Sequence, residues 1–228
     1  TTAGEGTGVG DGCLAANTTG ALNTAFGAQT LAANTTGTNN TAVGGYTLND
    51  NTTGVENVAV GVGALDANTT ASYNTASGVN ALGGNTTGDY NVAVGISALG
   101  ANTSANNNTA VGTSSLSTNT TGAQNVALGS QALINNTTAS NNVCIGYQSM
   151  YPNTTGASNT AVGMSALGSN TTGGSNTAVG QGAGATITTG SNNVCIGKGT
   201  DVNTGAAASR LGLGINLNLD TADQIKIG

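Results

Sequence analysis

Carboxylates are the main candidates for acid–base or metal chemistry in this chain, which has nine Asp and Glu residues and no histidine. Those of the N-terminal part share no common spacing and lie at Asp11, Asp50, Glu56, Asp66 and Asp89. They do not form the Gly-Gly-x-Gly-x-Asp repeat with which β-rolls bind calcium, and the abundant Ser and Thr have no evident base to activate them. We therefore expect no catalytic residue, no cofactor and no metal ion, and we expect that the chain is not an enzyme.

Two further patterns have the outward form of binding motifs. The segment from Gly180 to Gly184 has the spacing of a nucleotide-binding loop, but neither a helix nor a lysine follows it as that site requires. The cysteines Cys13, Cys144 and Cys195 show no Cys-x-x-Cys or Cys/His spacing, so they indicate neither a metal site nor a disulfide framework. Both patterns are better explained as parts of a sequence repeat.

Charge restricts the partners of this protein. Only 5% of its residues are charged, the formal net charge is −6, and the basic residues Lys198, Arg210 and Lys226 all lie near the C-terminus. A nucleic-acid binder uses Lys and Arg to displace counterions from phosphates, so we expect no nucleic-acid partner. Because no apolar run reaches the length that spans a bilayer, we also expect no membrane insertion.

A repeat of 17 residues with the consensus N-T-T-G-x-x-N-T-A-V-G-x-x-A-L-x-x runs along almost the whole chain. The Asn that opens it is found at Asn17, Asn34, Asn51, Asn68, Asn85, Asn102, Asn119, Asn136, Asn153 and Asn170. The Gly after the N-T-A-V segment is present in every copy, from Gly10 to Gly197, and this predicts a turn with positive φ or a close backbone approach. Such strict periodicity predicts about twelve stacked coils rather than a disordered chain.

A short strand is predicted before each of these glycines. In Val58–Val60 and Val92–Val94 branched residues flank a small one, which is the alternation of a half-buried strand, and a Leu such as Leu65 follows five residues later. Helices are excluded because Gly, Asn and Thr are too frequent. The predicted fold is an all-β, single-stranded parallel β-solenoid (β-roll) with 17-residue coils, in which the column from Asn23 to Asn193 hydrogen-bonds along its own length.

The middle residue of each predicted strand is small. If the flanking branched residues point inward, this column points outward, where a uniform row of small side chains favours the close approach of an identical chain around a symmetry axis. This candidate axis column, for which an ice surface is the alternative partner, is Ala25, Ala42, Ala59, Ala76, Ala93, Ala110, Ala127, Cys144, Ala161, Ala178 and Cys195. We interpret Cys144 and Cys195 as small apolar substitutes for Ala; an interchain disulfide at the axis is the alternative.

The segments Asn57–Gly61, Asn91–Gly95 and Asn142–Gly146 resemble the S/N-V-A-I-G motif of the YadA-like head of trimeric autotransporter adhesins. Similar N-T-A-V-G repeats occur in phage tail-fibre proteins. The resemblance covers residues 6 to about 200 and implies a left-handed parallel β-roll that assembles as a homotrimer. The uniform 17-residue coil and the Thr that replaces the first Val, as at Thr24 and Thr41, depart from the adhesin pattern and favour a fibre of a phage or an uncultured microbe over a bacterial adhesin.

Side-chain diversity is confined to variable positions that flank the strands. Tyr73 and Tyr90 are one coil apart in one column, so their rings should lie next to each other. The candidate recognition residues are Tyr46, Tyr73, Tyr90, Tyr147 and Tyr151. The expected function is that of a structural or adhesive fibre segment, outside the cell, on a cell surface or on a virion, that binds a cell-surface glycan or protein receptor. An ice-binding solenoid, suggested by the regular Thr pairs, and a self-assembling extracellular filament are the alternatives.

The last residues depart from the repeat. We expect the solenoid to occupy residues 1–203 and residues 204–228 to cap it or to begin a further domain. Leu211 to Leu219 alternate strictly between apolar and small or polar residues, which predicts one strand with a single apolar face.

Overall fold

The computed structural model describes residues 6–219 and 225–228 and shows an all-β parallel solenoid, as the repeat predicts. The described residues contain no helix, and therefore none long and apolar enough to cross a membrane. The chain divides into two compact units, Thr1–Ser114 and Ser115–Gly228. The first five residues of the expected solenoid range, 1–203, lie outside the described residues.

The first unit contains seven three-residue strands, which pair in parallel in sequence order. They are β1 (Thr7–Val9), β2 (Thr24–Phe26), β3 (Thr41–Val43), β4 (Val58–Val60), β5 (Thr75–Ser77), β6 (Val92–Val94) and β7 (Thr109–Val111). Each residue pairs with its equivalent in the next copy of the repeat, as Ala25 does with Ala42 and Ala59 with Ala76. One repeat is therefore one coil, and equivalent residues stack in columns.

The second unit repeats this arrangement in β8 (Val126–Leu128), β9 (Val143–Ile145), β10 (Thr160–Val162), β11 (Thr177–Val179) and β12 (Val194–Ile196). Its C-terminal strands are β13 (Asp201–Val202), β14 (Leu211–Leu213), β15 (Asn218–Leu219) and β16 (Ile225–Ile227). The strands β13 and β15 pair with each other in a separate two-stranded sheet.

The C-terminal segment departs from its prediction. Leu211 to Leu219 do not form one strand, because Gly214 turns the chain with a φ of 155° and only β14 and β15 are extended. The strand β14 pairs with β12 in the register of the repeat, Leu211 opposite Val194, so the parallel sheet passes the boundary expected at residue 203. The next pairing joins Leu211 to Ile225, so the last coil is shorter than the others. A capping role for residues 204–228 stays a prediction.

The glycine that follows each repeat strand is required for two reasons, a positive φ and a close approach of the backbone of the next coil, and both were predicted from its regularity. Gly61 has a φ of 129°, where an L side chain is strained. A Cβ at this position would lie 2.6 Å from the carbonyl oxygen of Gly78 in the next coil. The stacked backbones therefore leave no room for a side chain at this corner.

Candidate interaction surfaces

The small-residue column points into the coil, and its prediction as an outward trimer-axis column is wrong in orientation. Every member is fully buried in the single chain: Ala25, Ala42, Ala59, Ala76, Ala93, Ala110, Ala127, Cys144, Ala161, Ala178 and Cys195 are all 0% exposed. The interior of the coil is too narrow for a larger side chain at this position. At Gly212, which takes this position in β14 and is buried, a Cβ would lie 2.7 Å from Thr200 Cγ2 and 3.1 Å from Leu219 Cδ1. The Leu column fills the interior, so only Ala or Cys fits opposite it.

The branched residues that we expected inside form the outer surface instead. We call the first and third residues of each strand the outward strand face. In the first unit Val58 and Val60 are each 41% exposed, while Ala59 between them is fully buried. In the second unit Ile145 and Ile196 are exposed in the same way. Each unit therefore presents two neighbouring columns of Val, Ile and Thr on a surface that one chain leaves uncovered.

The two buried cysteines behave as part of the interior. Burial raises the pKa of the Cys195 thiol to about 12, with a further contribution from Asp201, and it also raises the pKa of Cys144. The sulfur of Cys144 lies 3.5 Å from the sulfur of Met150. Since both thiols point into their own coil and are held protonated, the geometry does not favour an interchain disulfide.

Asparagine ladders hold the corners of the coil, and the predicted Asn ladder is confirmed within each unit, over Asn23–Asn108 in the first and Asn125–Asn193 in the second. Asn57 shows the pattern: its backbone N–H and its side-chain amide both donate to Asn40 Oδ1, at 3.0 and 3.1 Å, and the amide also donates to the carbonyl of Ala71 at 2.9 Å. The Asn of the Asn-Thr-Thr triplet forms a second ladder, which the sequence interpretation missed. There Asn34 Nδ2 donates to Asn17 Oδ1 at 2.8 Å. The signal for it was the invariance of that Asn along the repeat.

The Thr pairs that suggested ice binding have divided roles. The hydroxyl of the first Thr is used within the fold, since Thr52 Oγ1 donates to the carbonyl of Thr69 in the next coil at 2.9 Å. The second Thr, such as Thr53, is exposed. Only one of the two columns therefore offers a free surface.

The five candidate recognition tyrosines are all at the surface, but the structure brings only two of them together. The rings of Tyr73 and Tyr90 stack with centroids 4.8 Å apart and an interplanar angle of 3°, so their predicted contact is confirmed. Tyr46, Tyr147 and Tyr151 are exposed away from this stack, and none of them makes a ring contact within the described part of the chain. The recognition role of all five stays a prediction.

The acidic residues give two local features but no ion site. Burial raises the pKa of Asp66, and the neighbouring carboxylate of Asp50 raises it further. The Asp201 carboxylate accepts hydrogen bonds from the backbone and hydroxyl of Thr186, yet burial outweighs them and raises the pKa of Asp201. Among residues 6–219 and 225–228 no three His, Cys, Asp or Glu side chains converge on a point where a metal would bind. That same part of the chain has no pocket.

Comparisons with models of known protein families, with curated protein sequences and with solved structures found no match. The resemblance to adhesin heads and tail fibres therefore rests on the repeated motif and on the solenoid fold.

Proposed function

We propose that this chain is a structural and adhesive segment of a homotrimeric fibre. Each copy winds as a left-handed β-roll, and three copies pack through their outward strand faces. The fibre lies outside the cell, on a cell surface or a virion, and its variable turns bind a receptor there. The observation that carries this proposal is the outward strand face, where mostly Val, Ile and Thr recur coil after coil in each unit and remain exposed or half-buried in the single chain.

The composition of that face supports assembly. Val and Ile recur at equivalent positions of this face, whereas polar residues such as Thr53 and Thr87 occupy the outer column of the Asn-Thr-Thr triplet. Burying a Val side chain fully contributes about 1.5–3 kcal/mol, so covering one that is 41% exposed, such as Val60, contributes roughly 1 kcal/mol. Summed over several coils, this contribution is of the same order as the roughly 4–15 kcal/mol that association costs. The face replaces the Ala column as the proposed interface.

Sedimentation equilibrium at micromolar concentration tests the proposal. The wild-type chain should sediment with three times its own mass of 21.7 kDa. The double variant Val60→Lys, Val94→Lys places two charges on the face and should sediment as a monomer with an unchanged β-sheet circular dichroism spectrum. The control Thr53→Lys, Thr87→Lys adds the same charges to the same two coils on the exposed Thr column and should stay trimeric. A wild-type monomer would remove the physical basis of the fibre.

Ice binding is the second candidate, because the outward strand face carries Thr and Val two residues apart on flat parallel strands. The pairs Thr41–Val43 and Thr109–Val111 have this arrangement. The first hydroxyls of the Thr pairs in the repeat, in contrast, are already bonded within the fold. Thermal hysteresis of a monomeric protein, lost in Thr41→Lys, would support this function; a trimer without hysteresis at millimolar concentration would end it. End-to-end polymers seen by electron microscopy would instead support the filament.

A further inference from the structure

We propose that the stacked pair Tyr73–Tyr90 is the centre of a binding site for a neutral saccharide. This inference names the chemistry of one receptor-binding surface and so rests on the proposed function. The two rings lie 4.8 Å apart and nearly parallel. Despite covering each other, they remain 44% and 56% exposed. Together they form a rigid aromatic ledge that stands out from two successive coils.

The fold itself does not need tyrosine at these positions. Tyr73 and Tyr90 have φ values of 61° and 58°, in the left-handed region that favours Gly and Asn over bulky residues. Other coils place small or polar residues in the same column with the same backbone, for example Asn39, Asn107 and Ser158. A bulky residue that adopts a disfavoured backbone conformation without filling the core is expected where the surface has a binding function.

The ledge is held in place by the ladder of the coils. The backbone N–H of Tyr73 donates to the carbonyl of Val55 at 3.1 Å, and that of Tyr90 donates to the carbonyl of Ser72 at 3.3 Å. With the backbone fixed and only two side-chain torsions each, the rings lose little conformational entropy when a ligand binds. The site is therefore preorganised.

Polar groups that suit vicinal hydroxyls surround the rings. The Asp89 carboxylate is fixed beside Tyr90, because its Oδ1 accepts the backbone N–H of Ser72 at 2.7 Å. The backbone N–H of Asp89 in turn donates to Asn106 Oδ1 at 2.7 Å. In the column of the rings, Glu56 occupies the coil before the pair and Asn107 the coil after it. Each ring keeps one face that its partner does not cover, Tyr73 on the side of the coil of Glu56 and Tyr90 on the side of the coil of Asn107. An apolar face of this kind beside a carboxylate or an amide matches a pyranose, which has an apolar C–H face and a rim of hydroxyls.

The charge of this part of the molecule selects among saccharides. Residues 1–114 contain no Lys or Arg, so all of their charged side chains are acidic. An anionic sugar would meet Glu56 and Asp89 without a compensating cation, and we therefore assign the site to neutral hexoses or N-acetylhexosamines. A quaternary ammonium group, which aromatic faces and carboxylates also attract, is the competing ligand that the test must separate.

The test uses the full chain on an array of neutral oligosaccharides of glucose, galactose, mannose and N-acetylglucosamine, with sialylated oligosaccharides and choline as separate arms. We expect binding to at least one neutral oligosaccharide, a loss of tenfold or more in affinity for Tyr73→Asn and for Tyr90→Asn, and near-complete retention in Tyr73→Phe. Asn is suitable because Asn39 and Asn107 already occupy this column. The control is Tyr46→Asn in the same unit. Tyr46 is 55% exposed and has a left-handed backbone conformation like the pair, but its ring is not stacked, so this variant should bind like the wild type.

The inference is overturned if no neutral oligosaccharide binds, if only choline or sialylated sugars bind, or if Tyr46→Asn weakens binding as much as Tyr73→Asn does. Sedimentation of the same samples separates this failure from failure of the fibre proposal. A trimer that binds no neutral sugar refutes the saccharide site and leaves the fibre. A monomer that binds through Tyr73 and Tyr90 refutes the trimer and leaves the site.

Discussion

Adding methyl groups to two neighbouring residues of β5 should have opposite effects on stability. Ala76 is fully buried, and Ser77 beside it belongs to the outward strand face between Val60 and Val94. We predict that Ala76→Val destabilises the fold and that Ser77→Val leaves it unchanged or stabilises it. The pair is matched in strand, coil and introduced side chain, so only the direction of the side chain differs.

The size of the effect follows from the space inside the coil. At the buried equivalent position in β14, a Cβ at Gly212 would already lie 2.7 Å from Thr200 Cγ2 and 3.1 Å from Leu219 Cδ1, so the interior has little room for two further methyl groups. Overpacking of this kind costs about 1–3 kcal/mol. Ser77→Val instead extends a column that already holds Val60 and Val94, and cross-strand contacts of branched residues contribute about 0.2–1 kcal/mol.

Urea unfolding followed by circular dichroism measures both changes. With a dependence on urea of about 2 kcal/mol per molar, Ala76→Val should lower the midpoint by about 0.5–1.5 M, while Ser77→Val should hold or raise it. The opposite pattern, a neutral Ala76→Val together with a destabilised Ser77→Val, would show that the small-residue column faces outward. It would then refute the packing that places Val and Ile on the interaction surface.

Three further predictions concern the ladders, the turns and the carboxylates. Asn57→Asp removes the amide donors to Asn40 and Ala71 inside the ladder, so it should lower the free energy of unfolding by about 3 kcal/mol or more and lower the melting temperature. Asn39→Asp, at the surface, should leave the stability nearly unchanged. Equal effects of the two substitutions would contradict the ladder. Ser97→Gly relieves a φ of 53° and should stabilise the protein by up to about 1 kcal/mol in urea unfolding, and a loss of stability would contradict the strain. Burial and the nearby Asp50 raise the folded-state pKa of Asp66, so the stability of the fold should fall as pH rises above the ordinary aspartate pKa of 3.8. The variant Asp66→Asn should abolish this fall. Its melting temperature should exceed that of the wild type at pH 7 but not at pH 3. A pH-independent difference would show that the charge of Asp66 is not its cause.

Much of the fold was predictable because it depends on spacing alone. The interval between equivalent residues set the coil length and the register, so Ala25 was bound to stack on Ala42 once the chain coiled at all. The invariant Gly and the first Asn column were predictable for the same reason, since a position that stacks on itself must suit its own copies. The stacking of Tyr73 on Tyr90 followed from their shared column.

The candidate surface was predicted less well, because alternation in a three-residue strand does not say which face is inside. In Val58–Val60, hydrophobicity predicted that the two valines lie in the core. The space inside the coil admits only the smaller Ala59, which is buried instead. The Leu of each coil already fills that narrow interior, so the larger residues are left outside. The C-terminal alternation from Leu211 to Leu219 misled in a similar way, because a turn at Gly214 interrupts it.

By itself the sequence therefore determined a parallel β-solenoid with 17-residue coils, columns of like residues and one of its two Asn ladders, since all of these follow from periodicity. Only the tertiary structure decided that Ala points inward and that Val, Ile and Thr form the outward strand face. The physical reason is that periodicity fixes which residues stack on one another, whereas the direction of a side chain depends on the volume enclosed by the coil.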